Sequence, residues 1–202
     1  MSAIQNLSRR DVLKGMALSR FMLGASVAAW SPVQQAAAAP SDFAPNLFVA
    51  IAPTGQVTIV ISRSEMGTGI RTSLAMILAD ELDADWNKVR FEPAPVDPAY
   101  NHPVFGIQMT GGSTSTWSSF EQFRKAGAAA RALLVMAAAR QWNVDAASCR
   151  TENGTVVHPA SNRRASYGSL AEKAAGLKPP AQVPLKDPKD FKFIGKPGRL
   201  VP

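Results

Sequence analysis

Two short segments carry residues suited to holding an anion. The first is Glu65-Met66-Gly67-Thr68-Gly69 and the second is Thr110-Gly111-Gly112-Ser113-Thr114-Ser115. Each lies just before a stretch with helical periodicity. Glycine lets backbone N–H groups come close to a ligand, and the hydroxyls of Thr68, Ser113 and Ser115 are further donors. A helix start adds unpaired N–H groups and a partial positive charge, which suits a phosphate. Ser, Thr and Gly at such places are also ordinary caps and turns, so residue types alone leave both readings open. Neither segment has the lysine of a nucleotide-hydrolase phosphate loop or the spacing of a dinucleotide fingerprint.

The elements that must position these loops can be read from periodicity. Leu47–Ile51 and Val57–Ile61 are apolar, β-branched runs around Pro53-Thr54-Gly55-Gln56, which predicts a hairpin. From Ile70 to Asp83, Leu74, Ile77, Leu78 and Leu82 recur at helical spacing. Asp80, Glu81 and Asp83 are expected on the solvated face of that helix. Val89–Pro93 alternates as a short strand. Ala94–Gly112 reads as a long loop, a length that often carries function. An alanine-rich helix is expected from about Thr116 to Trp142, able to pack closely on a neighbour. A second hairpin turns at Asn153-Gly154, and Ser166–Leu170 opens a short helix through Ala175. From Lys178 the chain is rich in Pro and Lys, with Phe191–Ile194 as a last candidate strand. The order predicts an α+β fold with helices packed on mixed β-sheets.

Other chemistries are poorly served. The single cysteine, Cys149, excludes an intrachain disulfide and an all-cysteine iron–sulfur site within the chain. His102 and His158 lack carboxylates at metal-ligand spacing and read as structural or solvent-facing. The formal charge is +7, but the first 39 residues hold four of the 22 basic residues and one of the 15 acidic ones. The remainder carries +4, without aromatic interleaving, so no nucleic-acid partner is expected. The leading segment has its own logic. Ser8-Arg9-Arg10-Asp11-Val12-Leu13-Lys14, an apolar stretch to Trp30 and the small residues Ala36–Ala39 form a twin-arginine export signal, cut near Ala38. Residues 1–39 are therefore read as a signal peptide, and the expected location is the periplasm.

At the two loops the sequence resembles the molybdenum-cofactor-binding large subunits of the xanthine dehydrogenase and aldehyde oxidase family. The nearest branch is the exported isoquinoline 1-oxidoreductase beta-subunit and membrane-associated aldehyde dehydrogenase group. The resemblance is carried by Ser64–Ser73, Ala79–Trp86, Thr110–Ser115, Lys186-Asp187-Pro188 and Phe193–Pro197, and it covers nearly all of residues 45–197. It implies that Gly67, Thr68 and Gly69 line one side of the pterin and phosphate of a molybdenum–molybdopterin cofactor, expected in its cytosine dinucleotide form. Thr110, Ser113 and Ser115, on the loop with Gly111 and Gly112, would donate to the other side. The family often has glutamine where this chain has the shorter Thr68, which implies a backbone contact there rather than a side-chain one.

The resemblance further implies oxidative hydroxylation of aldehydes or N-heterocycles with water as the oxygen source. Electrons would leave through a 2Fe-2S small subunit, with a cytochrome c subunit as a further partner and membrane tether. Family large subunits are several times longer, so residues 40–180 are expected to be part of the cofactor-binding domain. Residues 181–202 are expected to be a linker toward a downstream domain. The family's catalytic glutamate belongs to the remaining part of the large subunit. No catalytic and no metal-ligating residue is expected here, and Glu65, Glu81 and Asp83 are not candidates. The chain is not expected to be active alone. The competing reading is a non-catalytic assembly and docking module or a truncated remnant of such a subunit, with a periplasmic domain for another anion as a third.

Overall fold

The structure is a computed structural model that describes residues 42–197 and Leu200. The export-signal reading lies outside the described residues. Seven strands form two sheets. In the first, β1 (Phe43–Asn46), β2 (Val49–Ile51) and β3 (Val57–Ile61) run antiparallel, and β4 (Val89–Pro93) pairs parallel to β3. The second is the antiparallel meander β5 (Arg150–Glu152), β6 (Thr155–His158) and β7 (Arg163–Ser166). Three helices complete the fold: α1 (Ile70–Leu82), α2 (Ser115–Trp142) and α3 (Tyr167–Ala175). The fold is α+β with mixed and antiparallel sheets, as the element order implies.

The strand β3 alternates, with Val57, Ile59 and Ile61 buried and Thr58 and Val60 partly exposed. Because successive side chains of a strand point to opposite faces, that face meets the helices. The crossover from β3 to its parallel neighbour β4 is made by α1, since parallel strands need a long connection. Leu74, Leu78 and Leu82 of α1 are fully buried. The 28-residue α2 lies against α1, and its glycine explains how closely. A Cβ on Gly127 would stand 2.5 Å from the carbonyl oxygen of Leu78 and 3.0 Å from Glu81 Cβ, so the helix backbones meet where no side chain fits. Asn143, in the left-handed region at φ 54°, closes the C-terminus of α2, as its short polar side chain allows.

Two expectations are corrected here. Asp80, Glu81 and Asp83 are not on a solvated face. Their exposures are 0, 0 and 5%. Arg124 and Arg131 of α2 reach the carboxylates of Glu81 and Asp83, and Lys186 and Lys192 reach Asp83 at 2.7 and 2.6 Å. Burying carboxylates is tolerable because they are paired and hydrogen-bonded. Phe191–Ile194 is not a strand either. The N–H groups of Lys192, Phe193 and Ile194 all donate to the Asp80 carboxylate at 3.0–3.1 Å, which leaves no sheet ladder for them. The segment expected to be a linker from 181 is accordingly tied down between Pro184 and Ile194 as a strap across the end of α1.

Candidate functional site

The two glycine-bearing loops come together. A cavity of about 360 Å³ is lined by Met66, Thr68, Ile70 and Ser73 from the first loop and the start of α1. Facing them are Thr110, Gly111, Gly112, Ser113, Ser115 and Thr116 from the second loop and the start of α2. Of the sequence candidates, Thr68, Thr110, Gly111, Gly112, Ser113 and Ser115 line it. Gly67 and Gly69 shape the first loop beside it, at φ 87° and 75°, without lining it. Sequence reasoning missed Met66, Ile70, Ser73 and Thr116. Ile70 and Ser73 are three apart at the helix start, so they share a face. Among the described residues no cluster of His, Cys, Asp or Glu has the arrangement of a metal site.

The two helix starts differ in what satisfies them. Glu65 curls back over the first. Its Oε1 accepts from the N–H of Met66, Thr68 and Gly69 at 3.1, 2.7 and 3.0 Å, and its Oε2 from Arg71 at 3.2 Å. Burial pushes the Glu65 carboxyl up, but the amides of Arg71, Gly69, Thr68 and Gly67 outweigh it and hold the pKa at about 2. A carboxylate of the chain itself thus occupies the anion position at α1. The Thr68 N–H, expected to face the cofactor, donates to Glu65 here, and Thr68 is one of the residues lining the cavity.

The second start is open. The N-cap residue Thr114 makes no side-chain cap bond to α2; its hydroxyl donates to the Gly111 carbonyl at 2.9 Å. The first-turn amides of a helix have no intrahelical acceptor. Gly112 and Ser113 both lie in the left-handed region, at φ 61° and 54°, a turn that asks for glycine at the first position. Thr110, one of the residues of this wall, has a buried hydroxyl oxygen without a hydrogen-bond partner. A buried, unpaired polar atom is costly.

Behind the loop lies a buried cation. Arg63, 3% exposed, donates weakly to the Met109 carbonyl and to Ser118 Oγ, both at 3.4 Å. Its Nε has no partner, and it belongs to none of the ion pairs among the described residues. Burial lowers its pKa. Met109 and Ser118 bracket the Thr110–Thr116 wall, so uncompensated positive charge sits directly behind it. Beside it is His102, 1% exposed, whose Nε2 is 3.0 Å from Thr114 Oγ1 and whose Nδ1 accepts from the Val104 N–H at 3.1 Å. Burial, and then the charge of Arg63, lower its pKa. The wall is polar, donor-rich and backed by a positive charge, while Met66 and Ile70 give the opposite wall an apolar face. Such a site suits a ligand with both an anionic group and an apolar surface.

Comparison with known proteins agrees with this chemistry. The family model described as molybdopterin cofactor-binding domain matches residues 2–198. The isoquinoline 1-oxidoreductase subunit beta of Brevundimonas diminuta is 37% identical over 189 residues, covering 92% of this chain and 23% of that protein. A membrane-bound aldehyde dehydrogenase [pyrroloquinoline-quinone] of Gluconacetobacter polyoxogenes is 35% identical over 81% of this chain and 21% of its own length. The chain therefore spans between a fifth and a quarter of these relatives. In fold, it is similar to a crystal structure of the Cu,Mo-CO dehydrogenase, with a TM-score of 0.51 and 22% identity over 65% of this chain and 17% of that one. This chain belongs to the molybdopterin cofactor-binding domain family and corresponds to a fragment of that domain in a molybdenum hydroxylase large subunit.

Proposed function

We propose that the chain supplies one part of the cofactor site of an exported molybdenum hydroxylase that oxidises aldehydes or N-heterocycles. The single observation that carries this is the uncapped start of α2 on the cavity wall, beside Thr110 with its buried, unpaired hydroxyl. The residues present fit the group. Thr110, Ser113 and Ser115 would hold the phosphate and the polar edge of the pterin, Gly111 and Gly112 would let backbone approach it, and Thr68 would close the facing side. Met66 and Ile70 would lie against the ring, while Arg63 would supply a counter-charge. The bound cofactor supplies the redox chemistry, with water as the oxygen source. The dinucleotide form of the cofactor, with its second phosphate, suits a wall rich in donors.

The catalytic carboxylate and the substrate pocket belong, on this reading, to the rest of the large subunit. Electrons would pass to a 2Fe-2S small subunit and on to a cytochrome c subunit. Export by the twin-arginine route to the periplasm accords with a cofactor that must be inserted before the protein crosses the membrane. The test is Thr110→Val, which keeps the shape of the side chain and removes the oxygen. A hydrogen bond to a charged group is worth about 1.5–3 kcal/mol, so pterin retained by the purified complex falls at least tenfold under competing dilution. Unchanged retention by a folded variant overturns the assignment of this wall.

A further inference from the structure

The structure assigns His102 as a positioning residue for the cavity wall: an uncharged ring, carrying its proton on Nε2, that latches the Gly111–Thr114 turn. The directions of the hydrogen bonds leave one arrangement. The Val104 N–H is a donor to Nδ1, so Nδ1 is bare. Thr114 Oγ1 gives its own proton to the Gly111 carbonyl, so its contact with Nε2 at 3.0 Å must be one in which the ring donates. The path Val104 N–H to His102, His102 to Thr114, Thr114 to Gly111 is directional from end to end. It joins the long loop to the turn whose Gly111, Gly112 and Ser113 line the cavity.

A charged ring breaks this path, because a second proton on Nδ1 would face the Val104 N–H. The surroundings also oppose a charge. The Arg63 guanidinium is the charged group that acts on the ring. Phe105 stacks obliquely at 4.7 Å, Trp117 of α2 meets it edge-on at 6.5 Å, and Thr114 and the Val104 amide are neutral. The sign follows. A histidine whose folded pKa lies below its unfolded value of about 6.5 contributes stability that is complete above that pH. The contribution is lost as pH falls through the folded pKa. The latch therefore holds the wall at neutral pH and releases it in acid.

The experiment uses the full 202-residue chain with nitrogen-15-labelled histidine. His158→Gln assigns the two rings, since the chain has two histidines. The expected result is a neutral, Nε2-protonated His102 down to a pH below 6.5, with the backbone amide resonances of Gly111–Thr114 moving along the same titration curve. In His102→Gln, which keeps a donor at the Nε2 position, those amides stay near their neutral-pH positions and no longer titrate. In His102→Phe they are displaced at every pH. An Nδ1-protonated tautomer, turn amides that ignore the ring's titration, or a His102→Phe turn identical to wild type would each overturn the latch.

A second readout rests on the proposed cofactor reading. Pterin retained by the complex should drop three- to tenfold across the same pH interval in wild type and stay level in His102→Gln. Retention without a pH step, in a complex whose turn does titrate, overturns the latch as a control on binding. A turn that titrates in protein that never holds pterin supports the latch and removes the cofactor reading instead.

Discussion

Replacing Asp80 by asparagine tests the strap across α1 most sharply. Asp80 is 0% exposed. Its Oδ2 accepts from the N–H groups of Lys192, Phe193 and Ile194 at 3.1, 3.0 and 3.0 Å, and its Oδ1 from Lys192 at 3.0 Å. Lys186 Nζ lies 3.8 Å from Oδ1. The best an asparagine can do is place its oxygen at the Oδ2 position. The three amides keep an acceptor, but a neutral one, and hydrogen bonds to an ionised acceptor are roughly twice as strong. A loss of about 1 kcal/mol per bond amounts to about 3 kcal/mol. The amide NH2 then faces the Lys192 N–H and the Lys186 ammonium, which brings the total to about 3–5 kcal/mol, the range for breaking a buried pair. A domain stable by roughly 5–15 kcal/mol survives this, so the variant can be studied folded. Urea unfolding should show the loss, and amide exchange at residues 192–194 should rise toward that of an open chain. A loss under about 1 kcal/mol with protection at 192–194 intact would refute the account of the strap, since the charged hydrogen bonds would then be worth little.

The same cluster sets an acid limit. Burial pushes Asp83 up, but Lys186, Lys192 and Thr151 outweigh it and hold its pKa below the usual carboxylate value. Its contribution is therefore present above about pH 4 and lost as pH falls through the lower folded pKa. Asp83→Asn should flatten stability against pH in that window, measured by urea midpoints from pH 5 to pH 2. Unaltered pH dependence counts against the pairing. Glu65→Gln should expose the amides of Thr68, Gly69 and Arg71 to exchange at neutral pH. In wild type their protection should persist far below pH 4, because the carboxylate titrates at about 2. Equal exchange in both proteins at pH 7 would show that the carboxylate does not organise the loop.

Part of the fold is legible in residue pattern: β3 buries alternate residues with a period of 2, and the apolar Leu74, Ile77, Leu78 and Leu82 mark α1. What escaped has identifiable reasons. The strand β1 is Phe43-Ala44-Pro45-Asn46, where proline and alanine hide any alternation. The strand β7 is Arg163-Arg164-Ala165-Ser166, almost entirely exposed at the sheet edge, so it has no apolar face to read. Asp80, Glu81 and Asp83 look solvated in sequence because their partners lie far along the chain. Arg124 is 43 residues from Glu81, and Lys192 is 109 from Asp83, and no local pattern encodes that. The site divides in the same way. Glycines and hydroxyls before two helices mark the loops. Which helix start remains open depends on Glu65 folding back on one and the Thr114 hydroxyl turning away from the other, and that choice is made in three dimensions.

The central claim is that this chain holds part of a molybdenum–pterin cofactor between the Thr68 and Thr110–Ser115 walls. The direct measurement is molybdenum by mass spectrometry and pterin by fluorescence after oxidative release. Both are made on the intact complex containing this chain, purified from cells that make the cofactor, and again on the Thr110→Val form. The account predicts molybdenum and pterin in equal amounts in the wild-type complex and at least a tenfold lower content in the variant. A folded wild-type complex that contains neither, or that yields pyrroloquinoline quinone in their place, would contradict it.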